Sequence, residues 1–488
     1  MKYLDRQLIS YERSDMYPFH MPGHKRKTLS FPNPYGIDIT EIDGFDNLHH
    51  ATGIIKEAEQ RAADLYGSKE CFYLVNGSTC GLLAAICAAT RKRDRILVAR
   101  NCHKAVYHAL FLNELSAEYL YPVITTHDIQ GQITAEQVEN LLHSNADIAA
   151  VVITSPTYEG VVSDVKEIAR VTHAYHVPLI VDEAHGAHFG FGSGFPENAV
   201  RLGADAVIIS LHKTLPSFTQ TALLHLNSDL IPKEQVKKYL EIYETSSPSY
   251  VLMAGMDACI RMIAEEGAEL FSDYRKRLDE FYQSTRDLKR LHVLEHLDLS
   301  PQEAFDWDDS KIIIFSANAK ISGEELHECL RTEYHLQMEM VSANYVLAMT
   351  SVMDEPQGFM RLSNALHEID ERAAHSLKLS EKAPMTAGSG HDIISVMGFT
   401  QRMYGKNERE MQIYQAEALP DLEVDFKDAV GRMAADYIYL YPPGIPLIVP
   451  GEIISEEFLT RLKECSELGL SVEGSVNMSS KRIKIVYF

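Results

Sequence analysis

The sequence predicts an α/β fold: a large unit built on a mainly parallel sheet, followed by smaller α+β units. Two observations predict it. Short apolar runs recur at 71–75, 96–99, 148–154, 179–182 and 206–210. They are apolar throughout rather than alternating, as strands covered on both faces are. Segments of helical spacing separate most of them, at 55–66, 78–90, 165–176 and a short stretch at 197–202. Strands alternating with helices make a sheet with helices on both sides.

Residues 1–55 are rich in Pro, Gly, His and Asp, and PFHMPGHKRK (18–27) and DNLHHATG (46–53) read as loops of an ordered arm lying on another surface. The large unit is expected over 56–265. The segment 267–310 is charged and reads as helical, ending near FDWDD (305–309). An α+β unit is expected over 266–380, with strands at 311–316 and 345–350 and helices at 323–334 and 364–379. EKAPMTAGSGHD (381–392) reads as a linker, and a last unit, 393–488, contains YPPGIPLIVPGE (441–452).

Composition narrows the function classes. The 488 residues hold 46 Lys and Arg against 69 Asp and Glu, a net charge of −23. That balance argues against nucleic-acid binding, which rests on clustered cations. With 45% hydrophobic and 24% charged residues the chain is globular, neither disordered nor fibrous. The seven cysteines are odd in number, scattered and without a C-x-x-C pair, which fits reduced thiols better than disulfides or structural zinc. The charged N-terminus lacks a signal peptide's apolar stretch, and the most apolar run, 81–89, is too short to cross a bilayer. These features predict a cytoplasmic protein with neither a membrane nor a nucleic acid as partner.

The chemistry concentrates at strand ends. Lys213, in SLHK, follows a buried strand and so stands at the carboxyl edge of the sheet, where open α/β sheets bind ligands. Partly desolvated there, its amine has a lowered pKa and can form a Schiff base. Asp182 ends the strand PLIVD, and a carboxylate buried at a strand end needs a cationic partner. A pyridinium nitrogen is such a partner, so the pair is what pyridoxal phosphate chemistry asks for. Gly77, Ser78 and Thr79 stand between a strand and a helix start, whose free N–H groups and dipole suit a phosphate; Ser210 and His212 complete the cradle. His103, in NCHK, reaches the same edge and can stack on a flat cofactor. The run DEAHGAH (182–188) offers two carboxylates and two histidines, but strand-to-loop geometry does not gather them on one helical face, so no metal site is expected. His185 is expected to line the pocket.

The motifs HMPGHK, NGST, NCHK, SPTY, DEAHGAH, SLHK with TLPSFTQTA, SSPSY and YPPGIPLIVPGE together resemble the Orn/Lys/Arg decarboxylase family, over residues 18 to about 455. The resemblance implies fold type I, the aspartate aminotransferase-like fold, and pyridoxal 5'-phosphate as cofactor. It makes Lys213 the Schiff-base lysine, Asp182 the partner of the ring nitrogen and His103 the stacking ring. Ser78, Thr79, Ser210 and His212 would hold the phosphate. SSPSY matches a stretch that reaches the neighbouring subunit's phosphate, so Ser246 or Ser247 becomes a contact across a homodimer interface. The family's longer members carry an extra N-terminal regulatory domain, for which this chain has no room, and tend to have tryptophan where His185 stands. The implied reaction is decarboxylation of arginine, lysine or ornithine to agmatine, cadaverine or putrescine. The proton returned to the α carbon would come from His212, Lys213 or His103. For the substrate's distal cation, Glu452, Asp43, Glu41 and Asp46 are candidates. Two rivals stand beside this reading: an aminotransferase using Arg361, in GFMRLS, to clamp the substrate carboxylate, and a non-catalytic regulatory paralogue keeping the fold.

Overall fold

The computed structural model describes residues 3–27, 31–380, 398–441 and 444–487. At its centre lies a seven-stranded sheet: β1 (Glu70–Leu74), β2 (Arg95–Ala99), β3 (Ser116–Leu120), β4 (Ile148–Thr154), β5 (Leu179–Asp182), β6 (Ala206–Ile209) and β7 (Ala222–Leu226). The spatial order is β1-β7-β6-β5-β4-β2-β3. All pairings are parallel except those of β7, which runs against both β1 and β6. Five of these strands are the apolar runs of the sequence; β3 and β7 are additions. The helix Gly77–Ala89 lies directly on the sheet: a Cβ on Gly81 would stand 2.6 Å from Leu74 Cδ1 and 3.3 Å from Ile208 Cγ2. Only a bare α carbon permits that approach.

Two expected elements differ. The stretch 197–202 forms turns, because Glu197 and Asn198 spend their side chains on local amides and Gly203 turns the chain at φ +101°. The helix expected over 267–310 is instead Tyr250–Thr285, 36 residues long, N-capped by Ser249, whose hydroxyl accepts from the Leu252 amide. It therefore runs through position 265, and residues 292–307 contribute two short strands, His292–Val293 and Asp306–Trp307.

After it comes an antiparallel four-stranded sheet ordered His292–Val293, Lys311–Phe315, Tyr345–Met349, Met340–Val341. Helices Gly323–Thr332 and Pro356–Ser380 accompany it. The segment read as a linker, 381–392, lies outside the described residues. The C-terminal part holds two three-stranded sheets and the helix Glu456–Glu467 around a separate core that includes Ile448, Phe458, Leu462 and Ile483. No described helix is long and apolar enough to cross a membrane.

The arm is wedged into the fold. Tyr17–Phe19 adds in parallel to Leu336–Met338, and Gly23 donates its amide to the His212 carbonyl at 2.7 Å. A Cβ at Gly23 would meet the Leu215 carbonyl oxygen at 2.6 Å and its amide nitrogen at 2.8 Å. Backbone cannot give way as a side chain can, so Gly23→Ala is expected to cost about 1–3 kcal/mol, as overpacking does. A urea denaturation midpoint indistinguishable from the parent's would contradict this packing.

Candidate active site

Strand register assembles the site. Asp182, the last residue of β5, is paired with Thr154 of β4 and Ile208 of β6. Two residues beyond Ile208 stands Ser210, and the one-turn helix Leu211–Thr214 then carries His212 and Lys213 across the same carboxyl edge. From β2 the chain reaches His103, which N-caps the helix Lys104–Leu112: its Nδ1 accepts the Ala105 amide at 3.2 Å. That bond puts the ring proton on Nε2.

These side chains surround a cavity of about 510 Å³, lined also by Gly77, Ser78, Thr79 and His185. Thus nine of the ten residues expected from the sequence to hold the cofactor meet in one place. The tenth, Ser246, does not line the cavity; it is exposed between Glu244, which accepts the Val75 amide, and the cap residue Ser249.

Burial sets the protonation states. It raises the Asp182 carboxyl, with Lys213 opposing, and Asp182 accepts one hydrogen bond, from the Ala184 amide at 3.2 Å. Burial lowers the Lys213 ammonium, opposed by Asp182 and Glu339. His103 is pushed down to about 3 by burial and then by Lys213, and His212 to about 4, chiefly by burial. His185 falls well below the usual imidazole value through burial and two lysines. All three rings are therefore neutral near pH 7. His212 donates Nδ1–H to the Thr221 carbonyl at 3.0 Å, which leaves Nε2 as an acceptor.

Several lining residues are not evident from sequence alone. Glu339 comes from the second unit and accepts from the Tyr158 hydroxyl at 2.6 Å and the Met21 amide at 2.8 Å. Glu159 lines the cavity as well, and so does Tyr441, from the YPPG segment that the family resemblance places near the active site. The DEAHGAH run disperses to different tasks. Glu183 accepts the Ala199 amide, His185 lies 3.0 Å from Lys213 Nζ, and His188 lies 3.0 Å from Asp308.

Four expected carboxylates lie elsewhere in this chain. Glu452 is buried against Arg100, Asn407 and the Val449 amide. Asp46 accepts the amides of Thr52, Gly53 and Ile55. Asp43 is exposed, and neither it nor Glu41 lines the cavity. Arg361 is turned away too: its guanidinium grips Asp15 at 2.7 Å and the Tyr334 carbonyl at 2.9 Å. No arginine lines the cavity among the described residues, so the clamp an aminotransferase reading requires is not supplied by Arg361.

The donor set fits pyridoxal phosphate. Asp182 is a buried carboxylate with no ion pair within 4.0 Å among the described residues, open to a ring cation. The helix Gly77–Ala89 begins without a side-chain cap, so its first N–H groups stay available to an anion beside the hydroxyls of Ser78 and Ser210, 2.6 Å apart. The amine of Lys213 lines the same cavity.

Comparison with known proteins agrees. The profile described as Orn/Lys/Arg decarboxylase, major domain, matches residues 3–307, and that of the family's C-terminal domain matches 400–468. The Bacillus subtilis protein YaaO is 34% identical over 99% of this chain and 98% of its own. The arginine decarboxylase of Halalkalibacterium halodurans is 29% identical over 98% and 96%. Among solved structures, lysine decarboxylase A from Pseudomonas aeruginosa superposes with a TM-score of 0.75 at 19% identity, covering 99% of this chain and 81% of that one; it shares the fold. Serine palmitoyltransferase from Sphingomonas wittichii superposes over 69% of the chain with a TM-score of 0.52, consistent with a fold type I core. With its major-domain match covering most of the chain and its lysine, aspartate and histidine gathered at one sheet edge, the chain belongs to the Orn/Lys/Arg decarboxylase family and is a decarboxylase of basic amino acids.

Proposed function

We propose that the protein converts L-arginine to agmatine and carbon dioxide with pyridoxal phosphate bound at Lys213. The observation that carries this reading is the placement of Lys213 beside the buried Asp182 at the head of one cavity. Likeness to arginine decarboxylases along nearly the whole chain favours arginine over lysine and ornithine. Glu339 and Glu159 on the cavity wall suit a cationic substrate.

In this reading Lys213 anchors the cofactor aldehyde, and Asp182 holds the ring nitrogen protonated. His103 would stack on the cofactor ring, while Gly77, Ser78, Thr79, Ser210 and His212 would hold the phosphate. A phosphate beside His212 Nε2 would favour its imidazolium, and the second N–H would then be committed to that anion. Once bound, the cofactor supplies an electron sink for the pair left on the α carbon. The protein's part in breaking the bond is to leave the substrate carboxylate without a guanidinium to hold it, in a site of restricted water. Nε2–H of His103 and the amine of Lys213 are the groups able to return a proton; His212 has its N–H committed to Thr221. The enzyme works as a homodimer, with Ser246 reaching the partner's phosphate site; its exposure in the single chain supports this.

The test is product analysis by mass spectrometry after incubating the purified protein and pyridoxal phosphate with arginine, lysine or ornithine separately. Agmatine is expected. Cadaverine or putrescine alone would move the substrate, and the absence of all three amines would sink the reading, with a keto acid pointing to transamination.

A further inference from the structure

Behind the cavity His185 joins two lysines. Its Nε2 lies 3.0 Å from Lys213 Nζ and its Nδ1 lies 3.2 Å from Lys311 Nζ. Lys311 opens the strand Lys311–Phe315, is fully buried, and has no role in the reading above. Room is made for its stem: Gly160 sits at φ +111°, and a Cβ there would stand 3.0 Å from Lys311 Cγ. The Tyr158 ring packs on His185 with centroids 4.6 Å apart, and the Tyr158 hydroxyl is tied to Glu339, which fixes the imidazole plane.

A neutral imidazole has one N–H donor and one acceptor nitrogen. Placed between two amines, it cannot accept from two ammonium groups at once. If Lys311 is the ammonium, it donates to Nδ1; Nε2–H then points at the lone pair of a neutral Lys213. If Lys213 is the ammonium, the roles reverse and Lys311 is neutral. The two states interconvert by two transfers: Lys213 gives a proton to Nε2, and Nδ1–H passes to Lys311. Total protons and charge are unchanged.

We propose that Lys311 is a positioning residue that, through His185, takes up the proton Lys213 sheds and so keeps Lys213 a free amine. The charged and titratable groups around the triad are Asp182, Glu339, Glu159, Asp308, His103, His212 and the Tyr158 phenol, which packs on His185. Asp308, Glu339 and Glu159 favour the Lys311 ammonium, while Asp182 and, again, Glu339 act on Lys213. The His185–Lys311 relay thus adds to burial in opposing the pull of Asp182 and Glu339 on the Lys213 proton. The inference rests on Lys213 being the reactive amine.

The test labels the full-length protein, stripped of cofactor, with acetic anhydride from about pH 6 to 10, spanning the free imidazole and amine values. Acylation of Lys213 is followed by peptide mass spectrometry. In Lys311→Met, labelling of Lys213 near neutral pH should fall about tenfold and its midpoint should rise by about one pH unit, the shift a lost neighbouring cation produces. Lys311→Arg, which restores a fixed cation, should bring labelling back. Lys311→Gln replaces Lys311→Met should the latter not fold. A Lys213 profile unchanged in the neutral variants overturns the relay. If the profile shifts but no amine is formed from any substrate, the relay stands and the decarboxylase assignment of substrate fails separately.

Discussion

Lys213→Ala should lose covalent attachment of pyridoxal phosphate, with its visible absorption, and turnover should fall by at least about 10³-fold, the scale expected when a nucleophile and acid–base group go together. Lys213 is the amine that projects from the carboxyl edge of the sheet into the cavity, and Asp182 on the adjacent strand is aligned to it by register rather than by a flexible loop. Lys213→Arg should fail likewise, because a guanidinium stays protonated and offers no lone pair. Lys213→Ala should not unfold the protein: it removes an amine bonded to the His185 ring, and Asp182, whose carboxyl burial already raises, can take a proton once Lys213 no longer opposes that rise. Borohydride reduction of the parent with cofactor, followed by peptide mapping, should mark Lys213. Turnover within tenfold of the parent in Lys213→Ala, with the cofactor still attached, would refute the assignment.

That site was largely legible because its residues end apolar strands. Lys213, Asp182 and His103 each follow a run whose burial on both faces is written in its composition, so the sheet edge collects them. The Gly77–Thr79 turn is legible for the same reason. What escaped notice comes from pairings between distant units. Lys311 opens a strand of the second unit and Glu339 stands between two short ones, and nothing local to LQMEM or DDSKIII shows that Glu339 lines the cavity or that Lys311 reaches His185. Arg361 misled in the opposite sense: an arginine in the small unit suits a carboxylate clamp, yet its partners Asp15 and Tyr334 are contributed by the arm and a helix end.

The fold divides along similar lines. β3 was missed because Ser116–Leu120 is an edge strand with mixed burial and polar residues. β7 contains His225, a buried ring whose Nδ1 lies 2.9 Å from the Ser68 hydroxyl, a partner 157 positions away. The start of the long helix at Tyr250 depends on a serine cap inside SSPSY, a segment whose other serines invited a functional reading.

Asp354→Ala should be strongly destabilising although it lies outside the cavity, because it takes the ion-pair partner from a buried ammonium. Lys25, from HMPGHK, is 2% exposed at its side chain and Asp354 0%, with Nζ and Oδ2 3.7 Å apart. Lys25 also donates to the carbonyls of Pro18, His20 and Met349, at 3.0, 3.0 and 2.6 Å. Asp354 accepts from the Tyr17 hydroxyl and the Ser351 amide. The pair therefore pins the arm between two units, and through the arm it fixes the Met21 amide on Glu339 and the Gly23 amide on His212. Deleting the carboxylate leaves the charge with three carbonyl dipoles and the weaker pull of Glu339. Breaking a buried pair costs about 3–5 kcal/mol, and the carbonyls place this case at the lower end, about 3 kcal/mol. The double variant Lys25→Met, Asp354→Leu removes both charges together, and apolar replacement of a buried pair is often close to neutral. It should therefore be less destabilised than Asp354→Ala alone, by urea denaturation followed through the first unfolding transition. A single variant that loses under about 1 kcal/mol, the size of an exposed pair, would show that the arm is held by its strand pairing and apolar contacts instead.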